Sequence, residues 1–163
     1  MPKATIILGL DPGLADTGFG VLSKHGQILK FVAAGSIRTS PRFSFSRRAQ
    51  EIYKEILSLI EQHRPDIVAV EKLFFAKNVK TALAVGQARG VVLLAIEQSN
   101  RQLVEFTPLQ IKQAIAASGT ASKKQVGLMV KSLLRLSSVP KPDDAADALA
   151  VAITAAYFNK NLV

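Results

Sequence analysis

The chain has 163 residues and no cysteine, and 48% of its residues are hydrophobic. This length fits one compact domain over residues 1–163, the hydrophobic content excludes a disordered chain, and the lack of thiols excludes disulfides and thiolate zinc sites. With 21 Lys and Arg against 12 Asp and Glu, the net charge of +9 favours a polyanionic partner, although a basic solubilising surface gives the same balance.

Neither a membrane segment nor a signal peptide is expected. The longest uninterrupted apolar runs, such as residues 90–96 and 148–153, are far shorter than the roughly 20 residues of a transmembrane helix. The first apolar run ends at Asp11 without a small-residue cleavage site. Together with the lack of cysteine, these features fit a cytosolic protein.

The N-terminal part predicts three strands. Residues 5–10 are apolar and β-branched, and the turn Asp11-Pro12-Gly13 follows them. Residues 18–23 and 27–38 predict two more strands, joined by a short turn, so the three strands form an antiparallel meander.

The rest of the chain alternates helices with short strands. Residues 45–63 carry apolar side chains at helical spacing, and Arg64-Pro65 ends that helix because the residue before proline avoids the α region. Residues 66–71 predict a short buried strand that ends in an acid. The remaining elements are a long apolar helix at 78–98, a strand at 103–107, and helices at 108–118, 122–136 and 143–157.

This order predicts an α/β fold, with a mixed five-stranded sheet and helices on both faces. It is the order of the ribonuclease H-like fold. Actin-like and sugar-kinase domains share the order, so it leaves the function open.

Four acids occupy the ends of predicted elements. Asp11 ends the first strand and Glu71 the fourth, while Asp144 and Asp147 share one face at the start of the last helix. The first and fourth strands are neighbours in such a sheet, and sites form at strand ends. Clustered carboxylates repel one another unless cations neutralise them, and two Mg²⁺ roughly 4 Å apart would support phosphodiester cleavage.

Each acid also has a purely structural interpretation. Asp11 fits a turn, Glu71 fits a solvent-facing strand end, and Asp143 or Asp144 fits a helix N-terminus. Asp147 lies among apolar residues and needs a partner. Because residues 143 and 147 also share a helix face, spacing alone does not choose between Asp143 and Asp144.

Taken together, these segments resemble the RuvC Holliday-junction resolvases over about residues 5–154. The matching segments are ILGLDPG with TGFGV, VAVEKLFFAKN, GQARGV and PDDAADALAVAIT. The first is shared with related nucleases and actin-like ATPases, whereas the others are together specific. The DAADAL match assigns Asp144, rather than Asp143, to the third acidic position.

The resemblance implies a Mg²⁺-dependent endonuclease with a ribonuclease H-like fold, which nicks two opposing strands of a four-way DNA junction in recombination and repair. Asp11, Glu71, Asp144 and Asp147 are then the catalytic residues and the ligands of two Mg²⁺, with Mn²⁺ as an alternative ion. The expected ends are 5′-phosphate and 3′-hydroxyl. A homodimer is expected, with an interface that includes the helix carrying residues 86–90, and contact with the RuvA–RuvB branch-migration complex is a further possibility.

The resemblance assigns DNA contacts to Phe74, Lys112 and Lys123. Phe74 would stack on or wedge between bases at the crossover, whereas Phe75 is expected to pack in the core. The two lysines would bind phosphates, since residues 98–142 contain seven Lys and Arg and one acid; solvated helix lysines are the alternative. Asp16 receives no role.

Two other functions remain open. A non-catalytic junction-binding protein could keep the same fold, but the presence of all four acids argues against it. A nuclease of this fold that cuts structured RNA is the second, and the GQARG and DAADALA segments argue against it.

Overall fold

The computed structural model describes residues 3–72 and 78–158, and over these residues the predicted order of elements is confirmed. The strands are β1 Thr5–Asp11, β2 Asp16–His25, β3 Ile28–Arg38, β4 Ile67–Glu71 and β5 Gln102–Phe106. The helices are α1 Phe45–His63, α2 Val79–Gln98, α3 Pro108–Ala116, α4 Lys123–Leu133 and α5 Asp143–Phe158.

The strands form one mixed sheet in the order β3-β2-β1-β4-β5. β1 pairs antiparallel with β2 and parallel with β4. β3 continues the sheet antiparallel to β2, and β5 continues it parallel to β4. The predicted sheet is confirmed, and the first and fourth strands are neighbours as expected.

Helices cover both faces of this sheet, which confirms the second part of the fold prediction. Successive side chains of a strand point to opposite faces. Leu8 and Leu10 of β1 pack in the cluster formed with α1 and α2, whereas Ile7 packs in the cluster formed with α3, α4 and α5. Because side chains two residues apart share a face, Asp11 leaves the sheet on the side of α5.

Helix α5 lies directly against β1 and β2 because glycines leave room for it. A Cβ atom at Gly9 would lie 2.1 Å from the carbonyl oxygen of Ala148, and one at Gly20 would lie 2.7 Å from the side chain of Leu149. The helix is also narrow, since it is rich in alanine, and residues 148–156 are all buried. This contact sets the height of α5 above the sheet and therefore the position of its first turn.

Some predicted ends of elements are wrong, and the reason is capping. The helix predicted at 122–136 begins one residue later because Ser122 is its N-cap, and it ends before Arg135, which has a φ of 53°. Thr107, predicted as the last residue of a strand, instead caps α3 in a reciprocal capping box.

Helix α2 is long and apolar enough to span a membrane, with a mean hydropathy of 1.5 over 18 residues. The expectation that no segment is long and apolar enough to span a membrane is therefore wrong for α2. It considered uninterrupted apolar runs, whereas an average over 18 residues tolerates isolated charges such as Lys80 and Arg89. One such helix among the described residues is weak evidence for a membrane span, because core helices of soluble proteins meet the same criterion.

Replacing Gly9 by alanine should lower the free energy of unfolding by about 1–3 kcal/mol, because the new methyl group overlaps the backbone of α5. Gly90→Ala is the matched control: its Cβ would meet nothing within 4 Å, and alanine favours a helix by about 1 kcal/mol. Urea unfolding curves measure both effects. Equal stability of the Gly9→Ala variant and the original chain would contradict the tight contact.

Candidate metal site

Two neighbouring strands bring Asp11 and Glu71 together. Asp11 is the last residue of β1 and Glu71 the last of β4, and the parallel register pairs Leu10 with Val70 just before them. Glu71 follows Ala69 on the face that packs against α5, so both carboxyl groups leave the sheet on the same side. The two carboxyl groups are close enough for each to shift the pKa of the other.

Helix α5 brings two more carboxylates to the same place. Gly18 pairs with Asp11 across β1 and β2, and a Cβ atom there would lie 2.0 Å from the carbonyl oxygen of Asp144. The first turn of α5 therefore rests on the sheet beside Asp11. One carboxylate oxygen each of Asp11, Asp144 and Asp147 lies within 4.8 Å of the other two.

This set of donors fits a hard divalent cation. Oxygens that bind one Mg²⁺ at about 2.1 Å lie roughly 3–4 Å apart, so small side-chain rotations would bring the three carboxylates onto one ion. Glu71 is outside this three-residue group, but its charge raises the pKa of Asp11, which places it at the border of the cluster. All four side chains are partly buried, which limits competition from bulk water.

The cluster carries more negative charge than its surroundings favour. Burial raises the pKa of Asp11 to about 8, and the charges of Glu71, Asp147 and Asp144 add to the shift. Burial also raises the pKa of Glu71, although the hydrogen bond from Asp11 and the charge of Lys123 oppose it. The pKa of Asp144 is raised by burial and by the nearby Asp16 and Asp147. Such shifts mark a site that a cation would stabilise.

Two lysines, Lys112 and Lys123, lie beside the cluster. The Nζ atom of Lys123, in the first turn of α4, lies 3.0 Å from an Oδ atom of Asp147, and this contact raises the pKa of Lys123. Lys112 of α3 is partly buried, and its charge lowers the pKa of Glu71. One cleft of about 270 Å³ is lined by both lysines and by two of the acids, Glu71 and Asp147, together with Pro108 and Ile111.

The remaining acids near the cluster have other partners. Asp143 is exposed, and Lys141 at 2.9 Å lowers its pKa by a hydrogen bond and by its charge. Asp16 pairs with Arg38 at 3.1 Å. The structure thus places Asp144, and not Asp143, beside Asp11 and Asp147.

Phe74 and Phe75 lie outside the described residues. The sequence reasoning missed the ion pair between Lys123 and Asp147, because spacing does not show which helices meet. It also missed how closely α5 packs on the sheet, although Gly9 lies two residues from Asp11 in β1 and Gly18 two residues from Gly20 in β2, which is a signal for a close approach on one face.

Almost the whole chain is similar to one family of known proteins. Residues 7–155 match the family model described as crossover junction endodeoxyribonuclease RuvC. The protein of that name from Brevibacillus brevis is 53% identical over 152 residues, covering 93% of this chain and 92% of the relative. The one from Caldicellulosiruptor saccharolyticus is 51% identical over 148 residues, covering 90% and 89%.

Solved structures give the same result. The Thermus thermophilus RuvC in complex with a Holliday junction substrate is similar with a TM-score of 0.88 and 35% identity, covering 94% of each chain. The yeast mitochondrial Holliday junction resolvase Ydc2 has a TM-score of 0.67 at 16% identity, covering 94% of this chain and 79% of its own. The second likeness concerns the fold alone.

The raised pKa of Asp11 predicts how stability depends on pH without divalent cations. Between the ordinary value of 3.8 and the folded value of about 8, the folded state binds more protons than the unfolded state, so the free energy of unfolding falls as pH rises. The melting temperature should therefore fall from pH 5 to pH 9, by about 2–4 °C per kcal/mol lost. Calorimetry in EDTA measures this trend.

Asp11→Asn serves as the control, because an amide does not titrate. Its melting temperature should exceed that of the original chain at pH 8 and change less with pH. Addition of Mg²⁺ at pH 8 should raise the melting temperature of the original chain more than that of the variant. A melting temperature that rises steadily from pH 5 to pH 9 in EDTA would contradict the assigned burial of negative charge.

Proposed function

Because the chain belongs to the RuvC family of crossover junction endodeoxyribonucleases, we propose that it resolves Holliday junctions by a Mg²⁺-dependent pair of symmetric nicks. The nicks leave 5′-phosphate and 3′-hydroxyl ends. The proposal treats residues 1–163 as a single nuclease domain. It also places the reaction in the cytoplasm, since the similar proteins above include bacterial ones, whose chromosome lies there.

The convergence of carboxylates from three elements supports this proposal most directly. β1, β4 and α5 are distant in sequence, yet their acids meet at one end of the sheet, with raised pKa values. A structural role gives no reason for such an arrangement, because clustered and partly buried carboxylates oppose folding. Cation binding offsets this repulsion.

We assign Asp11, Glu71, Asp144 and Asp147 as catalytic residues and as the ligands of two Mg²⁺. When bound, two such ions lower the pKa of a water and stabilise the leaving oxygen of the phosphodiester. Asp11 lies in the middle of the set: Glu71, Asp144 and Asp147 all raise its pKa, and one of its carboxylate oxygens lies within 4.8 Å of an oxygen of each α5 acid. It would therefore help to hold the metal ions.

Two lysines have roles that complement those of the acids. Lys112 and Lys123 line the same cleft as Glu71 and Asp147, so they would hold the phosphate of the cut strand against the cluster. In the free protein Lys123 neutralises part of the charge of Asp147. If metal ions neutralised Asp147 instead, the Nζ atom of Lys123 would be free to contact DNA. Phe74 is assigned to base stacking at the crossover by resemblance alone.

Cleavage of a labelled, mobile four-way junction tests the proposal. Symmetric paired nicks are expected with Mg²⁺ and none with EDTA. Asp11→Asn should lower the cleavage rate by a factor of about 100 or more, since loss of a shared metal ligand removes several kcal/mol of transition-state stabilisation. Glu61→Gln removes an exposed carboxylate on α1, away from the cluster, and should cut at the original rate.

Other outcomes would favour the other functions. Tight junction binding without any nick, at several concentrations of Mg²⁺ and Mn²⁺, would contradict the proposal in favour of a binding protein. Faster cleavage of structured RNA than of junction DNA would contradict the choice of substrate.

We propose that the active form is a homodimer, because a four-way junction with two-fold symmetry presents two equivalent strands. The exposed surface of α2 supports this. Val79, Leu83 and Leu94 are 81%, 63% and 52% exposed, and at 3.6 residues per turn they lie within about 60° of one another. The buried side chains of α2 lie on the opposite face, at Ala88, Val92, Ala95 and Ile96.

Negative charges introduced on this exposed face of α2 test the proposed dimer. The double variant Leu83→Asp with Leu94→Asp should be monomeric in analytical ultracentrifugation at concentrations where the original chain is dimeric. Its paired nicks should become rare single nicks, because one active site no longer accompanies the other. A dimer that persists in the double variant would place the interface elsewhere. Contact with the RuvA–RuvB complex stays a prediction of the resemblance.

A further inference from the structure

A second groove lies beside the carboxylate cluster, between α4 and the segment that precedes α5. Its volume is about 480 Å³. Lys123 and Asp147 line both this groove and the cleft of about 270 Å³ described above, so the two are neighbours on one surface. A strand held at the carboxylate cluster would therefore meet this groove next.

Lysines from two separate segments line this groove. Lys124 lies in the first turn of α4, and Lys141 lies just before α5. Lys141 is 75% exposed and pairs with the exposed Asp143, whereas no ion pair of Lys124 occurs among the described residues. The other acid of the lining, Asp147, belongs to the proposed metal site. With Lys123, the lining has three lysines against Asp143 and Asp147, so positive charge predominates.

Apolar side chains from the same two segments also line the groove. Leu128 and Val139 line it, and Val139 lies so close to α4 that a Cβ atom at Gly127 would be 3.1 Å from it. Leu128 is 48% exposed. A groove lined by lysines and apolar side chains fits a nucleic-acid strand, because the phosphates can contact the lysines while the sugars offer apolar surface.

We propose that this groove binds the DNA strand beyond the cut, with Lys124 and Lys141 each contacting a backbone phosphate adjacent to the scissile one. The proposal rests on the proposed function, because the cluster supplies the position of the cut. A phosphate would replace the carboxylate of Asp143 as the partner of Lys141, since both accept charge-assisted hydrogen bonds. The groove thus guides the strand away from the carboxylate cluster.

Salt dependence of junction binding gives the first test. In EDTA, the double variant Lys124→Ala with Lys141→Ala should bind more weakly, and the slope of log K against log salt should fall by about 0.7–0.9 for each lost phosphate contact. Lys30→Ala with Lys54→Ala is the matched control, because it removes the same charge from exposed positions on β3 and α1. The control should keep the original slope.

Junctions with single neutral methylphosphonates give the second test. Phosphates one and two nucleotides to either side of the cut are replaced in turn. The original chain should lose affinity at one or two of these positions, whereas the Lys124→Ala, Lys141→Ala variant should be insensitive there, because the lysines that read those charges are gone.

These outcomes separate the two proposals. If the original chain cuts junctions but the lysine variant keeps the slope of the control, or loses affinity equally at every methylphosphonate, the groove proposal is wrong and the proposed function stands. If the original chain neither binds nor cuts junctions, the proposed function fails and the groove proposal fails with it.

Discussion

The contact between α5 and the glycines of β1 and β2 is the constraint on which the candidate site depends. Gly9 and Gly18 let the backbone of α5 approach the sheet more closely than any side chain would permit. Because the helix is rigid, its height fixes where Asp144 and Asp147 lie relative to Asp11. The acids of three elements meet because Gly9, Gly18 and Gly20 place no side chain between α5 and the sheet.

The cluster has a cost in stability that the rest of the fold must offset. Partly buried carboxylates with raised pKa values oppose folding at neutral pH. Two apolar clusters, one on each face of the sheet, supply the opposing contribution. Lys123 partly neutralises Asp147 in the free protein. In our proposal, the metal ions neutralise the rest of the negative charge of the cluster.

Much of this arrangement could be predicted from the sequence, because its elements have strong local signals. Alternation and apolar spacing predicted all ten elements in order, and the adjacency of the first and fourth strands predicted the meeting of Asp11 and Glu71. The choice between Asp143 and Asp144 needed the structure or a family resemblance, since both share a helix face with Asp147. The groove at Lys124 and Lys141 could not be predicted, because it forms between segments whose distance no local pattern encodes.

The central claim is that the four carboxylates hold two divalent cations. A crystal structure of the chain grown with Mn²⁺, with anomalous diffraction recorded at the manganese edge, tests it most directly. Two anomalous peaks about 4 Å apart are expected, bound by Asp11, Glu71, Asp144 and Asp147. Manganese bound elsewhere, or a hydrated cluster with no peak at saturating Mn²⁺, would contradict it.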